Sequence, residues 1–227
     1  MITPDGAAFE HADVDAAVVF VDMSGFTAFT ETHGDHTAAR LAETFAATAA
    51  AVLGPADELV KTLGDAVLVT SDQTTAAVGF LRRLTAETGR RPGFPMLRAG
   101  IAAGPLVKRN GDVFGSTVNT AARLATVAQA GQVVVNDVAA SALSAADRTA
   151  MTALGPLTLR NVGAPVEAFG LDIGTHHQQH VDPVCRMLVA TASPELSVTY
   201  SDVPYRFCST RCLQQFTQRL AVGASPS

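Results

Sequence analysis

The chain has 227 residues, 48% of them hydrophobic and 16% charged, which suffices for one sizeable core plus a small appendage and excludes global disorder. Its formal charge is −5, and its densest basic clusters are only "LRR" and "GRRPG"; a nucleic-acid face, which needs grouped Lys and Arg, is excluded. No apolar run approaches the roughly 18–20 residues that span a bilayer. The acidic start "MITPDGAAFEHADVD" lacks the basic and apolar regions of a secretory leader, so the expected setting is the cytoplasm, with no membrane partner.

The first strong element is "VVFVDMSGFTAFT", residues 18–30, whose β-branched and aromatic run predicts a buried strand. At its end stands Asp22. A carboxylate there needs a hydrogen-bond cage or a cation, unless it caps the turn that follows. "DHTAARLAETFAATAAAVLG" sets Leu41, Phe45, Ala49 and Val52 at helical spacing and stops at Gly54-Pro55. "ELVKTLGDAVLVTS" reads as two strands joined by a tight turn at Leu63-Gly64-Asp65, and residues 73–89 read as a second helix, with Ala77, Phe80, Leu81 and Leu84 on one side. "MLRAGIAAGPLVKRNGDVFG" predicts a strand, a Gly-Pro bend, a second extended piece and a turn at Asn110-Gly111. Ser116 is the expected N-cap of the helix "TVNTAARLATVAQA", closed by Gly131. Strand "QVVVN", helix "DVAASAL" and the β-rich "LGPLTLRNVGAPVEAFGLD" follow. This order predicts an α/β (α+β) fold, close to a ferredoxin-like sandwich with helices on one sheet face. The expected organisation is an N-terminal extension (1–13), a main domain (14–173), a polar linker (174–180), a Cys-bearing unit (181–220) and a short tail (221–227).

If the first strand and the 58–71 hairpin are sheet neighbours, Asp22 and Asp65 come together. Paired carboxylates repel unless a cation neutralises them, and oxygen-only ligation suits Mg²⁺ or Mn²⁺. Two unrelated turn aspartates would give the same sequence. Asn119 and Arg123 share a helix face, and a fixed planar cation beside a neutral amide suits a phosphate or a developing negative charge; a solvated surface would also fit.

In this order and at these spacings, "FVDMSGFT", "KTLGD", "RAGIAAG", "GDVFGSTVNTAARL" and "LRNVGAPVEAFGL" resemble the catalytic domain of class III nucleotidyl cyclases, over roughly residues 14–173. The resemblance implies a nucleotide cyclase sandwich making cyclic AMP and pyrophosphate from ATP. It implies that Asp22 and Asp65 bind two Mg²⁺ or Mn²⁺ ions per active site, and that Lys61 and Asp112 read adenine. Asn119 orients the ribose in such a site, and Arg123 stabilises the phosphorane. Arg98 holds the terminal phosphates together with Arg160, which stands where the family usually has a lysine. It implies a homodimer whose two active sites are shared between chains. A guanylate cyclase and a non-catalytic nucleotide- and metal-binding sensor remain alternatives.

All three cysteines lie beyond residue 180, in "HVDPVCRMLVATASPELSVTYSDVPYRFCSTRCLQQFTQRL". Short strands around "LSVTY" and "YRFCS", turned at Ser201-Asp202, precede a predicted helix with Cys212 in its first turn. So small a unit usually wants a staple, and in a reducing cytosol a thiolate-bound soft metal serves better than a disulfide; three small buried hydrophobes are the alternative. "DPVCRM", "Y-R-F-C" and Cys-x3-Cys resemble the YHS and TRASH-type metal-binding modules, with Arg186 where a Gly is common. The resemblance implies a Cys-rich β-hairpin/helix module binding Zn²⁺ or Cu⁺ through Cys185, Cys208 and Cys212; its place on the same chain, rather than the resemblance, is the reason to expect that it regulates the cyclase. The fourth position is undefined, with His180, His177 and solvent as candidates, and a solvated linker is the favoured reading of His176, His177 and His180. His11, His33 and His36 receive no role.

Overall fold

The computed structural model describes residues 11–91, 93–172, 180–189 and 196–221. Its spine is β1 (His11–Met23), whose alternation sends Ala17, Val19, Val21 and Met23 to one sheet face and Val14, Ala16, Val18 and Phe20 to the other. Both faces are covered, which is why the run looks continuously apolar rather than alternating.

After β1 come α1 (Phe26–His33), α2 (Asp35–Ala51), the hairpin β2 (Asp57–Leu63) and β3 (Ala66–Ser71), and α3 (Thr74–Gly89). Next are β4 (Leu97–Arg109), β5 (Asp112–Phe114), α4 (Ser116–Val127), β6 (Gln132–Asn136), α5 (Asp137–Ser141) and α6 (Ala145–Ala150), then the hairpin β7 (Thr152–Leu157) and β8 (Val166–Asp172). The sheet order is β2-β3-β1-β4-β6-β8-β7, with β5 folded back on β4. Only β4 and β6 run parallel; the other pairs of this sheet are antiparallel.

The mixed α/β sandwich agrees with the sequence reading, but the helices do not all lie on one face. α2 and α3 press Phe45, Ala49, Phe80, Leu81 and Leu84 onto one side of the sheet, and α4 lays Ala121 and Leu124 on the other. Helical periodicity identifies the side of a helix that is buried, not the sheet face that receives it. α4 sits unusually close to β4: a Cβ on Gly100 would lie 2.2 Å from the Ala121 carbonyl oxygen and 2.4 Å from the Ala125 nitrogen. Only the missing side chain permits that approach. The N-cap of α4 is Gly115, and Ser116 is the first helical residue, without a capping side-chain bond. The helix start is tied down instead by the Thr117 hydroxyl, which donates to the Pro105 carbonyl (2.7 Å). β4 runs unbroken through Gly104-Pro105, where two extended pieces were expected.

The C-terminal part contains β9 (His180–Val181), β10 (Leu188–Val189), β11 (Ser197–Tyr200), β12 (Val203–Arg206) and α7 (Thr210–Ala221). The β11–β12 hairpin turns at Ser201 and Asp202, both at positive φ (49° and 61°), as a two-residue loop between twisted strands requires. This part is not a separate body. Phe29 of α1 and Ala38 of α2 share one core with Val184, Cys185, Met187, Phe207, Cys212 and Phe216. The Leu188 amide donates to the Phe94 carbonyl (3.0 Å), and Gly93 returns a bond to Leu188 (3.3 Å). The expected linker histidines His176 and His177 lie outside the described residues. No helix among the described residues is long and apolar enough to cross a membrane.

Candidate active site and thiol cluster

Asp22 lies one residue before the end of β1, flanked in register by Ala66 of β3 and Arg98 of β4. The β2–β3 turn therefore sets Asp65 beside it, as the sequence predicts. Arg98 donates from Nη2 (2.8 Å) and Nε (3.2 Å) to a single oxygen, Asp22 Oδ2. The other oxygen, Oδ1, is buried and has no hydrogen-bond partner. Burial raises the Asp22 pKa, Arg98 works against that rise, and the Asp65 carboxylate adds to it. A buried, orphaned carboxylate oxygen beside a second carboxylate fits a hard divalent cation. Arg98, expected on terminal phosphates, is seated on Asp22 in the free protein.

Lys61 of β2 reaches Asp112 at the start of β5, with Nζ 2.7 and 2.6 Å from the two carboxylate oxygens. That hydrogen bond, joined by one from the Val113 amide, holds the Asp112 carboxyl below the usual carboxylate range. Lys108 pairs likewise with Glu58 (2.6 Å), so the β4–β5 hairpin folds back over β2. Register puts Lys61 opposite Leu68, and Leu68 opposite Phe20, on the α4 side of the sheet; Asp22 and Arg98 belong to that side too.

Asn119 and Arg123 ride on α4, exposed and half-buried respectively, on the helix side away from Ala121 and Leu124. Arg160 is exposed in the turn between β7 and β8, with Leu159 buried beside it. The structure thus makes two contact groups, Asp22–Asp65–Arg98 and Lys61–Asp112. Among the described residues, no hydrogen bond or ion pair joins Asn119, Arg123 or Arg160 to either group.

A second constellation lies at the C-terminal part. Cys208 Sγ is 3.3 Å from Cys185 Sγ and 3.6 Å from Cys212 Sγ, and none of the three is in a disulfide. His33 Nε2, at the end of α1, is 3.8 Å from both Cys208 and Cys212. The four ligand atoms all lie within 4.8 Å of one another. Mutual hydrogen bonding holds the Cys212 thiol well down and drives Cys185 up. Asp182, fully buried, accepts from the amides of Val184 (2.7 Å), Cys185 (3.2 Å) and Cys208 (2.7 Å), fixing two of the cysteines relative to each other. Burial pushes the Asp182 carboxyl up.

Sequence reasoning missed His33 and Asp182. Asp182 had a signal, an Asp-Pro pair two residues before a cysteine, which favours an aspartate bonding amides further along the chain. His33 had none, because the sulfurs beside it belong to residues 175 and 179 positions later in the chain. His180, a candidate fourth ligand in the sequence, is not in this cluster and pairs with Val189 in the β9–β10 ladder. Arg186 adopts φ 66°, a backbone state that suits Gly and accounts for the residue expected there.

Residues 92–172 match the family model "Adenylate and Guanylate cyclase catalytic domain". The chain is 41% identical over 128 residues to an adenylate cyclase of Streptomyces griseus, covering 56% of this chain and 32% of that protein. It is 35% identical over 155 residues to a pH-sensitive adenylate cyclase of Mycobacterium tuberculosis, covering 67% and 39%. The chain thus spans only 32% and 39% of the length of these two curated relatives. Among solved structures, the adenylyl cyclase CyaB of P. aeruginosa superposes with a TM-score of 0.60 at 19% identity, covering 71% of this chain and 95% of that one. The matched stretch includes Arg98, Asp112, Asn119, Arg123 and Arg160, and the sheet it completes brings Asp22 and Asp65 to the same face. Over residues 92–172 the chain is therefore similar to the catalytic domain of adenylate and guanylate cyclases, and its main sheet has the fold of an adenylyl cyclase.

Proposed function

We propose that the chain is an adenylate cyclase acting on ATP in the cytoplasm. The observation that carries this reading is the convergence of Asp22, Arg98 and Lys61 on one sheet face, with Lys61 already paired to Asp112. In the reaction the ribose 3′-oxygen bonds to the α-phosphorus, and the bond from that phosphorus to the bridging oxygen breaks. Pyrophosphate leaves with the electron pair, and the hydroxyl proton passes to solvent.

Asp22 and Asp65 fit two Mg²⁺ or Mn²⁺ ions, which when bound lower the hydroxyl pKa and neutralise the triphosphate. Lys61 donates to adenine N1 and Asp112 accepts from the 6-amino group. Guanine presents the reverse pattern and is opposed by the same pair. Arg98 and Arg160 hold the terminal phosphates. Asn119 orients the ribose, and Arg123 meets the charge that grows on the phosphorane.

Each site is assigned to two copies of the chain, Asp22 and Asp65 from one and Asn119 and Arg123 from the other. Partly buried Phe20, Val60 and Val118 on the α4 face support this assembly, as does Phe114, 51% exposed at the end of the β4–β5 hairpin. The C-terminal part, residues 181–220, is assigned as a YHS-like module that holds a soft ion, Zn²⁺ or Cu⁺, through Cys185, Cys208 and Cys212.

The test is to incubate purified protein with Mn²⁺ and either ATP or GTP and to identify the products. Cyclic AMP should dominate, with GTP used about 100-fold less efficiently. Lys61→Glu should weaken ATP use before it creates good GTP use. Equal efficiency with both nucleotides overturns the adenine assignment, and the absence of either cyclic product overturns the enzyme reading in favour of a non-catalytic binder.

A further inference from the structure

His33 is contributed by the main α/β domain, and the three thiols beside it by the C-terminal part. We propose that Zn²⁺ is held tetrahedrally by Cys185, Cys208, Cys212 and His33 Nε2, and that this ion clamps the C-terminal part onto the turn that follows Asp22. The inference rests on reading the three cysteines as a soft-metal site and adds its fourth ligand and its mechanical consequence.

The spacing supports the ligand set. Zn–S bonds of about 2.3 Å directed to the corners of a tetrahedron put sulfurs about 3.8 Å apart, with sulfur–nitrogen edges slightly shorter. The observed separations are 3.3 and 3.6 Å between sulfurs and 3.8 Å from each of two sulfurs to the imidazole. Three sulfurs and an imidazole nitrogen form the closed donor set of a structural zinc site. Asp182, bonded to the amides of Cys185 and Cys208, supplies the outer layer that such sites use to fix ligand orientation. The Phe29 ring lies against the His33 ring, tilted by 35° with centroids 4.6 Å apart, and helps to hold it toward the sulfurs.

The consequence follows from where α1 begins. Asp22 is the last residue but one of β1, Gly25 turns the chain at φ 82°, and α1 starts at Phe26 and ends at His33. The turn bearing Cys185 lies directly against Gly25, where an added Cβ would meet Arg186 Cβ at 2.5 Å. On the other side, Met187 and Leu188 pair with residues 93–95, which lead into Leu97 and Arg98. Ser24 closes the frame by donating to the Met96 carbonyl (2.8 Å). Zinc at the four ligands therefore fixes both approaches to the Asp22–Arg98 pair: the turn leaving β1 and the segment entering β4.

The test uses the full chain, Zn²⁺ and Co²⁺. Native mass spectrometry should find one tightly held zinc in the wild type, and Co²⁺ should give the intense d–d bands of a tetrahedral thiolate site. His33→Ala should weaken zinc binding by roughly 100-fold or more and alter the cobalt spectrum, while His33→Cys restores tight binding. Zinc should slow amide exchange over residues 24–33 in the wild type but not in His33→Ala. A Cys185→Ser, Cys208→Ser, Cys212→Ser triple variant that keeps the zinc overturns the thiol site itself. Loss of zinc in that variant with unchanged affinity and cobalt spectrum in His33→Ala overturns only the fourth ligand. Tight zinc binding that leaves exchange over residues 24–33 unchanged overturns the clamp.

Discussion

Asp22 carries the main conflict of the chain: a strand end buries its carboxylate, Arg98 satisfies one oxygen, and the other is left bare. Its pKa is raised, chiefly by burial. A folded-state pKa above the unfolded one means that the native protein binds the proton more tightly. The stability Asp22 provides is then present at low pH and is lost as pH rises through the folded value, so ionised Asp22 destabilises the metal-free fold near neutrality. A cation on Oδ1 removes that cost. Metal-free Asp22→Asn should accordingly melt at or above the wild-type temperature. The wild type should gain about 5–10 °C when Mn²⁺ exceeds its dissociation constant a hundredfold, and the variant little. A Mn²⁺ shift as large in Asp22→Asn as in the wild type, read by thermal melting, contradicts this account. Residue types alone made Asp22, Asp65 and the Asn119–Arg123 pair legible as candidates. The seat of Arg98 on Asp22 was not legible, because it depends on the strand register.

α4 shows how packing places candidate residues. Its buried side rests on β4 at Gly100, so Asn119 and Arg123 stand wherever that contact holds the helix. Gly100→Ala should lift α4, cost about 2–3 kcal/mol and lower turnover at least tenfold. Gly163→Ala, at a position with open space around it, should melt within about 0.5 kcal/mol of the wild type. Equal melting of the two variants in denaturant titrations contradicts the packing argument. Periodicity marked α2, α3 and α7, and turn residues marked the β2–β3 and β11–β12 hairpins, since both signals are local. α1 was not anticipated: its eight residues bury only Phe29 and Thr32, too short a stripe to stand out in a sequence. The placement of α4 on the opposite sheet face is a tertiary fact without a local signal.

At the scale of the whole molecule, the Cys-bearing part and the main α/β domain share a core, so the linker expected at residues 174–180 does not separate two independent bodies. The same α4 face that carries Asp22, Arg98 and Lys61 keeps Phe20, Val60 and Val118 only partly covered. A second copy seated there would bring its own Asn119 and Arg123 to the first copy's aspartates and cover that apolar surface. The most direct measurement is a complementation assay. Asp22→Ala and Arg123→Ala should each reduce cyclic AMP formation from ATP by at least a thousandfold. Mixing the two inactive proteins should recover about a quarter of wild-type activity, because random exchange makes half the dimers mixed and each mixed dimer keeps one intact site. Full activity in either single variant, or no recovery in a mixture whose subunit exchange is shown independently, would contradict a cyclase that works through sites shared between two copies.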